Sequence, residues 1–273
     1  MATHSRRDVL RWAGSGACLA LAGVAMGDIT SNATEYAKRD LALPKWDADG
    51  FRIGFIADTH VTSPATMRRA KAATQWVIDE KPDLIVLGGD FVSLSTRFTL
   101  GYVKDSLVPL HDAKCPVLAV MGNHDYYAPS PARVIKTVEE SGARVLRNEF
   151  VEVGGVTIAG IDDAIVHRHR AGIEMLQDGN HSKSLLAILH EPDYADDMPS
   201  NVSLQLSGHS HGGQICLPGG FPIETRIGAR KYSAGYYSDS SVPLYVTRGV
   251  GTSGPDLRMF CRPEATILTL RGA

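Results

Sequence analysis

The sequence has no paired C-x-x-C motif, no excess of basic charge and few aromatic residues, at 7%. Its four cysteines, Cys18, Cys115, Cys216 and Cys261, are scattered, which supports neither a zinc ribbon nor a thioredoxin-type redox site. They read as small buried residues, and no disulfide can be placed among them. A formal net charge of -2 leaves no basic footprint of the kind that nucleic-acid binding needs, so DNA and RNA are not expected as main partners. Internal repeats, low-complexity tracts and a second domain boundary are also lacking. What remains is 273 residues with 44% hydrophobic and 21% charged side chains, enough for one domain with a full core.

The first residues have a different character. MATHSRRDVLR is basic, and residues 12–26 are mildly apolar, uncharged and rich in Ala and Gly. A basic head followed by a short apolar core is the layout of a signal peptide, too short to be a comfortable membrane span. Arg6 and Arg7, with Ser5 before and Leu10 after, resemble the twin-arginine export signal S-R-R-x-x-L. Residues 1–27 are therefore expected to be a twin-arginine signal peptide or an uncleaved membrane anchor. Residues 28–48 are expected to be a linker and residues 49–273 the folded domain. The twin-arginine export machinery is then a partner, membrane association through the N-terminus remains open, and the destination is the periplasm, cell wall or outer face of the membrane.

From residue 52 onward short apolar runs alternate with helical patterns. Residues 52–57 (RIGFIA), 84–87 (LIVL) and 117–121 read as strands, each followed by a helical stretch at 66–80, 100–110 and 131–141. Alternation around Gly154 and Gly155 predicts a hairpin across 150–160. Residues 185–189, 202–206, 214–217, 244–247 and 265–270 are further strand candidates. The sum is an α/β fold with two packed β-sheets and helices outside.

Candidate metal ligands sit just past the ends of those strands. Asp58 and His60 follow RIGFIA, Asp90 follows LIVLGG, Asn123 and His124 follow VLAVMG, His190 ends LLAILH, and His209 and His211 follow VSLQLSG. Loops converge on a site at this edge of an α/β sheet. Carboxylate and amide oxygens with imidazole nitrogens suit Mn, Fe, Zn, Ni or Co. One aspartate can bridge two such cations, and a cation pair brings a water toward ionisation at neutral pH without a serine or cysteine nucleophile.

The blocks ADTH, GGD, GNHD, LH and GHSH, running in order from residue 58 to 211, resemble the calcineurin-like metallophosphoesterase superfamily. The resemblance implies a four-layer sandwich and two divalent transition metal ions. Asp58, His60 and His211 would hold one; Asn123, His190 and His209 would hold the other, with Asp90 bridging. It implies that His124 stabilises the phosphoryl charge or protonates the leaving oxygen, and that Asp125 orients the loop.

Serine/threonine protein phosphatases carry G-D-x-V-D-R-G where this chain has GDFVSL, so Ser93 and Leu94 replace an Asp and an Arg, and protein phosphatase activity is disfavoured. GHSHGGQ, GIDDA and RGVGTSGPDLR more resemble the bacterial exported or membrane-associated phosphodiesterase branch. The resemblance implies a phosphodiesterase acting on a small-molecule phosphodiester or phosphomonoester, or on an envelope polymer. The alternatives are a pyrophosphatase of lipid-linked UDP-sugars such as UDP-2,3-diacylglucosamine, and a catalytically silent surface scaffold. Gln214 and the loop 249–254 are candidates for substrate contact, and Arg248 and Arg258 could steer an anion. Asp162 and Asp163 read as turn or capping residues, and His4, His111, His167, His169 and His181 lie outside the site. Residues 126–182 contain no amphipathic insertion resembling a lipid-gripping lid, so an open site is expected.

Overall fold

The apolar runs form two six-stranded mixed sheets in the computed structural model, which describes residues 33–93, 99–178 and 183–273. The first sheet contains β1 (Glu35–Leu43), β2 (Phe51–Ile56), β3 (Leu84–Leu87), β4 (Val117–Ala119), β5 (Arg144–Val145) and β14 (Glu264–Gly272), in the order β1-β14-β2-β3-β4-β5. Strands β2 to β5 are parallel, while β14 runs antiparallel to β2. The second contains β6 (Glu149–Val153), β7 (Val156–Gly160), β8 (Leu185–Ile188), β9 (Leu204–Ser207), β12 (Gly235–Tyr237) and β13 (Leu244–Val246), in the order β12-β13-β9-β8-β7-β6. Here β7, β8, β9 and β13 are parallel.

Alternation along each strand explains the layers. In β3, Leu84 and Val86 join Ile53, Phe55, Ile158, Ile188 and Leu206 between the sheets. Ile85 and Leu87 face the other way, into a cluster with Ala70, Ala73 and Val77 of α1 (Pro64–Asp79), Val103 and Leu107 of α2 (Thr99–Leu107), and Val134 and Val138 of α4 (Pro131–Glu140). The outer face of the second sheet packs Ala159, Ala187 and Val246 against Leu176 of α5 (Arg170–Asp178). Helices, sheet, sheet and helix make the four layers. Ser63 starts α1 with a reciprocal cap: its hydroxyl accepts from Thr66 N at 3.2 Å, and Thr66 Oγ1 accepts from Ser63 N at 2.9 Å.

The hairpin falls where the sequence places it, with Gly154 and Gly155 both at positive φ, 57° and 82°, as a two-residue turn between twisted strands requires. Other expectations need correction. Residues 35–43, inside the stretch read as a linker, are strand β1, paired with β14 along its whole length. Ala37, Leu41 and Leu43 bury on one side, and Trp46 just beyond is buried too. Lys38, Arg39 and Asp40 stay exposed, as an edge strand tolerates. The helix expected over 100–110 ends at Leu107 and continues as a 3-10 turn, Val108–Asp112, with Pro109 in its first positions. The 214–217 candidate shrinks to the two-residue β10 (Cys216–Leu217), paired with β11 (Phe221–Pro222). Helix α5 and the short helix α3 (Asn123–Tyr127) were not among the expected elements. The leader at 1–27, Leu94 and His181 lie outside the described residues.

Candidate metal centre

Every candidate ligand leaves the C-terminal end of a parallel strand. Asp58 and His60 follow β2, Asp90 follows β3, Asn123 follows β4, His190 follows β8, and His209 and His211 follow β9. The edges of both sheets thus meet at one place. Five of the seven, Asp58, His60, Asp90, His209 and His211, hold positive φ of 41° to 67°. Non-glycine residues hold this conformation uncommonly, Asp and His more often than most, and here all five carry buried side chains immediately after a strand.

Two triads result: Asp58, His60 and His211, and Asp90, His190 and His209, each with ligand atoms within 4.8 Å of one another. All six are buried. Asp90 connects them, because its Oδ2 lies 3.3 Å from His190 Nε2 and 3.4 Å from His60 Nε2. On the far side, Asp58 Oδ1 lies 3.6 Å from His211 Nε2 and 3.9 Å from His190 Nε2. The nitrogens His60 Nε2 and His211 Nε2 are 3.0 Å apart. Among the described residues, the buried Asn123 Oδ1 has no hydrogen-bond partner, and His190 Nε2 meets no hydrogen-bond geometry despite its nearness to Asp90. Buried polar atoms without partners are costly unless something else satisfies them. Divalent cations would do so, and these oxygen and nitrogen donors fit them.

The imidazoles are oriented from behind. His190 Nδ1 donates to Gly88 O at 2.6 Å, and His209 Nε2 donates to Ile227 O at 2.8 Å. A ring nitrogen that donates to a carbonyl carries the proton, so the lone pair lies on the other nitrogen. Ser93 Oγ stands 2.5 Å from His60 Nδ1. Burial holds His60 down to about 3 and His209 to about 4, and it takes His211 well below the usual histidine range, so these three are neutral and can ligate. Burial lowers His190 as well, but Asp90 and then Asp58 outweigh it and raise it well above that range. Its proton is the one a cation must displace. Burial, with the charge of Asp90, lifts Asp58 to about 7. Burial would also raise Asp90, yet His190, followed by His60 and His124, keeps it below the carboxylate range.

Room for a substrate lies in front, in a cavity of about 700 Å³ lined by Asp90, Asn123, His124, His209 and His211. Gly122 makes the near wall possible: a Cβ there would stand 2.3 Å from Asp90 Oδ1 and 2.7 Å from His190 Nε2. The calcineurin-like phosphoesterase family profile matches residues 51–213. The chain belongs to this family. It is a metal-dependent phosphoester hydrolase. The chain is 32% identical over 248 residues to the metallophosphoesterase YkuE of Bacillus subtilis, covering 87% of this chain and 85% of that one. It is 32% identical over 245 residues to phosphodiesterase YaeI of Escherichia coli, covering 86% and 88%. A dimetal phosphatase from Danio rerio superposes with a TM-score of 0.48 at 12% identity, over 81% of this chain and 99% of that one.

In this phosphoesterase His124 lines the cavity, its backbone N donating to Asp90 Oδ1 at 2.9 Å and its ring 4.9 Å from that of His60. Asp125 accepts from the backbone N of Asp90, Phe91, Val92 and Gly122 at 2.8 to 3.2 Å, clamping the loops after β3 and β4 together. Burial and the charge of Asp90 push its carboxyl up to about 8. Four N–H donors nevertheless fill the four lone-pair directions of a carboxylate, so the geometry is that of the ionised form.

Gln214 lines the cavity, but its amide is engaged elsewhere. Nε2 donates to Ser253 O and Pro255 O, and Oε1 accepts from Ser253 N, so it positions the 253–255 loop. The two arginines are corrected outright. Arg258 is fully buried and donates to the carbonyls of His211, Arg248, Gly249 and Gly251, while Arg248 pairs with Glu264 and Glu35. Neither steers a substrate. Asp163 accepts from Val166 N, as a capping residue does, whereas Asp162 receives the Tyr126 hydroxyl and Arg147, tertiary contacts that its reading as a turn residue did not include. Ser93 is a site residue that the sequence did not reveal as one; its signal was only that it replaced a family aspartate.

Proposed function

We propose that this phosphoesterase is an exported phosphodiesterase with a binuclear centre of Mn, Fe, Zn, Ni or Co. The supporting observation is the meeting of two ligand triads at Asp90, at the floor of one open cavity. Asp58, His60, Asp90, Asn123, His190, His209 and His211 would hold two divalent cations, which when bound would acidify a water and offset charge on phosphoryl oxygens. The chain itself does the rest. Ser93, Gly88 O and Ile227 O fix the imidazoles, and Asp125 holds Asp90 in register with Asn123. His124, half-buried beside the cavity, is placed to protonate a leaving oxygen or to stabilise phosphoryl charge.

A diester preference is supported by Ser93 in place of the protein-phosphatase aspartate, by the size of the cavity and by the name of the Escherichia coli relative. The test is hydrolysis of bis(p-nitrophenyl) phosphate by the Mn-loaded chain. Turnover is expected, and His124→Ala should lower kcat by roughly 10²-fold while metal content stays constant. Metal-replete protein inert toward monoesters and diesters alike would refute the reading.

Export by the twin-arginine route to the periplasm, cell wall or outer face of the membrane rests on Arg6, Arg7 and Leu10. Replacing both arginines with lysine should retain the protein in the cytoplasm, as read by cell fractionation. Unchanged export contradicts this.

A further inference from the structure

The exposed apolar surface is concentrated at the mouth of the cavity. Among the described residues seven large hydrophobic side chains are exposed, and four of them, Leu217, Phe221, Ile223 and Ile227, fall within residues 217–227 at 55% to 69% exposure. Ile223 and Ile227 line the cavity that holds the metal ligands, as does Tyr127, a fifth exposed member. Scattered apolar residues on a surface need no explanation, whereas a cluster beside a reaction centre does. This segment is anchored: Leu217 pairs with Phe221, Ile223 N donates to Ile215 O at 3.2 Å, and Ile227 O receives His209 Nε2. Its apolar wall is therefore tied directly to a metal ligand.

The same cavity carries charge of the sign a phosphate requires. Arg226 and Arg230 line it, both exposed, and neither joins an ion pair among the described residues. Glu224 lines it as well. A small polar diester would meet the arginines and the metal ligands but would leave Ile223, Ile227 and Tyr127 in water. A ligand with an anionic phosphoryl group and an apolar chain would use both surfaces at once.

We infer that residues 217–227 form a binding wall for an apolar chain, so that the substrate class is an amphiphilic phosphoester with Arg226 and Arg230 near its anionic end. This rests on the proposed function and narrows it. The apolar surface beside the cavity comes mainly from 217–227, with Tyr127 the exposed contribution from 126–182.

Binding tests the wall separately from turnover. Methyl-, butyl- and octylphosphonate are titrated calorimetrically into the metal-loaded full chain below their micellar concentrations. Kd is expected to fall at least about tenfold from methyl to octyl, the effect of burying roughly two methylenes. In Ile223→Ser combined with Ile227→Ser, two exposed positions, the octyl-to-methyl ratio should fall toward one. That ratio is internal to each protein, so a general loss of fold does not imitate it. Equal Kd values along the series, or a ratio retained in the double variant, would overturn the inference. Cosedimentation with phosphatidylcholine vesicles alongside chain-length-independent binding would overturn it too, assigning the wall to a bilayer. If alkyl length governs binding but no ester is hydrolysed, the wall stands and the proposed function fails.

Discussion

Asp90→Asn should lower phosphodiester turnover by at least about 10³-fold. The carboxylate stands within 3.4 Å of one histidine from each triad, and its other oxygen receives the backbone N–H of His124. An amide keeps the shape but removes a full negative charge and one oxygen. With a neutral amide in place of Asp90, two cations held by the flanking triads would lose the charge that offsets their repulsion, and at least one would be lost. Charge stabilisation by such a pair is worth several kcal/mol, and about 4 kcal/mol corresponds to 10³ in rate. Circular dichroism should remain that of the parent, because His60 and His190 keep their supports from Ser93 and Gly88. Turnover within tenfold of the parent would mean that Asp90 does not join the two triads.

The second large effect is on stability. Asp125→Ala strands four backbone N–H groups that now share one buried carboxylate. A buried unsatisfied donor costs about 1–3 kcal/mol, so the loss should be roughly 4 kcal/mol or more, a large part of the 5–15 kcal/mol that a domain possesses. Asp125→Asn keeps one acceptor oxygen and should lie between parent and Ala. Urea unfolding reads both, and metal content should fall with stability, since Asp90 and Asn123 sit on the two loops that Asp125 joins. A shift below about 1 kcal/mol for the alanine variant would show that the loops hold their form without this clamp.

The ligands were legible because each lies in a short motif at the tip of an apolar strand, where topology alone brings loops together. Strand β1 was not, because Lys38, Arg39 and Asp40 obscure the alternation of Ala37, Leu41 and Leu43, a charge pattern that suits an edge. Arg258 read as a surface cation for the same reason that most arginines do. Its burial depends on four carbonyls from 211 and 248–251 converging around it, which no local pattern announces. The exposed apolar cluster at 217–227 has no local signature, because proline and glycine interrupt LPGGFPIETRI and leave no helical or strand period. Ser93 could be seen as a substitution, but its hydrogen bond to His60 exists only once the loops after β2 and β3 meet.

Metal content reaches the centre of these claims most directly. The purified full chain, loaded with Mn, desalted and measured by plasma mass spectrometry, should retain about two ions, and Asp90→Asn about one or fewer. A parent chain that retains one ion or none, with its fold intact, would contradict a site built around a shared carboxylate.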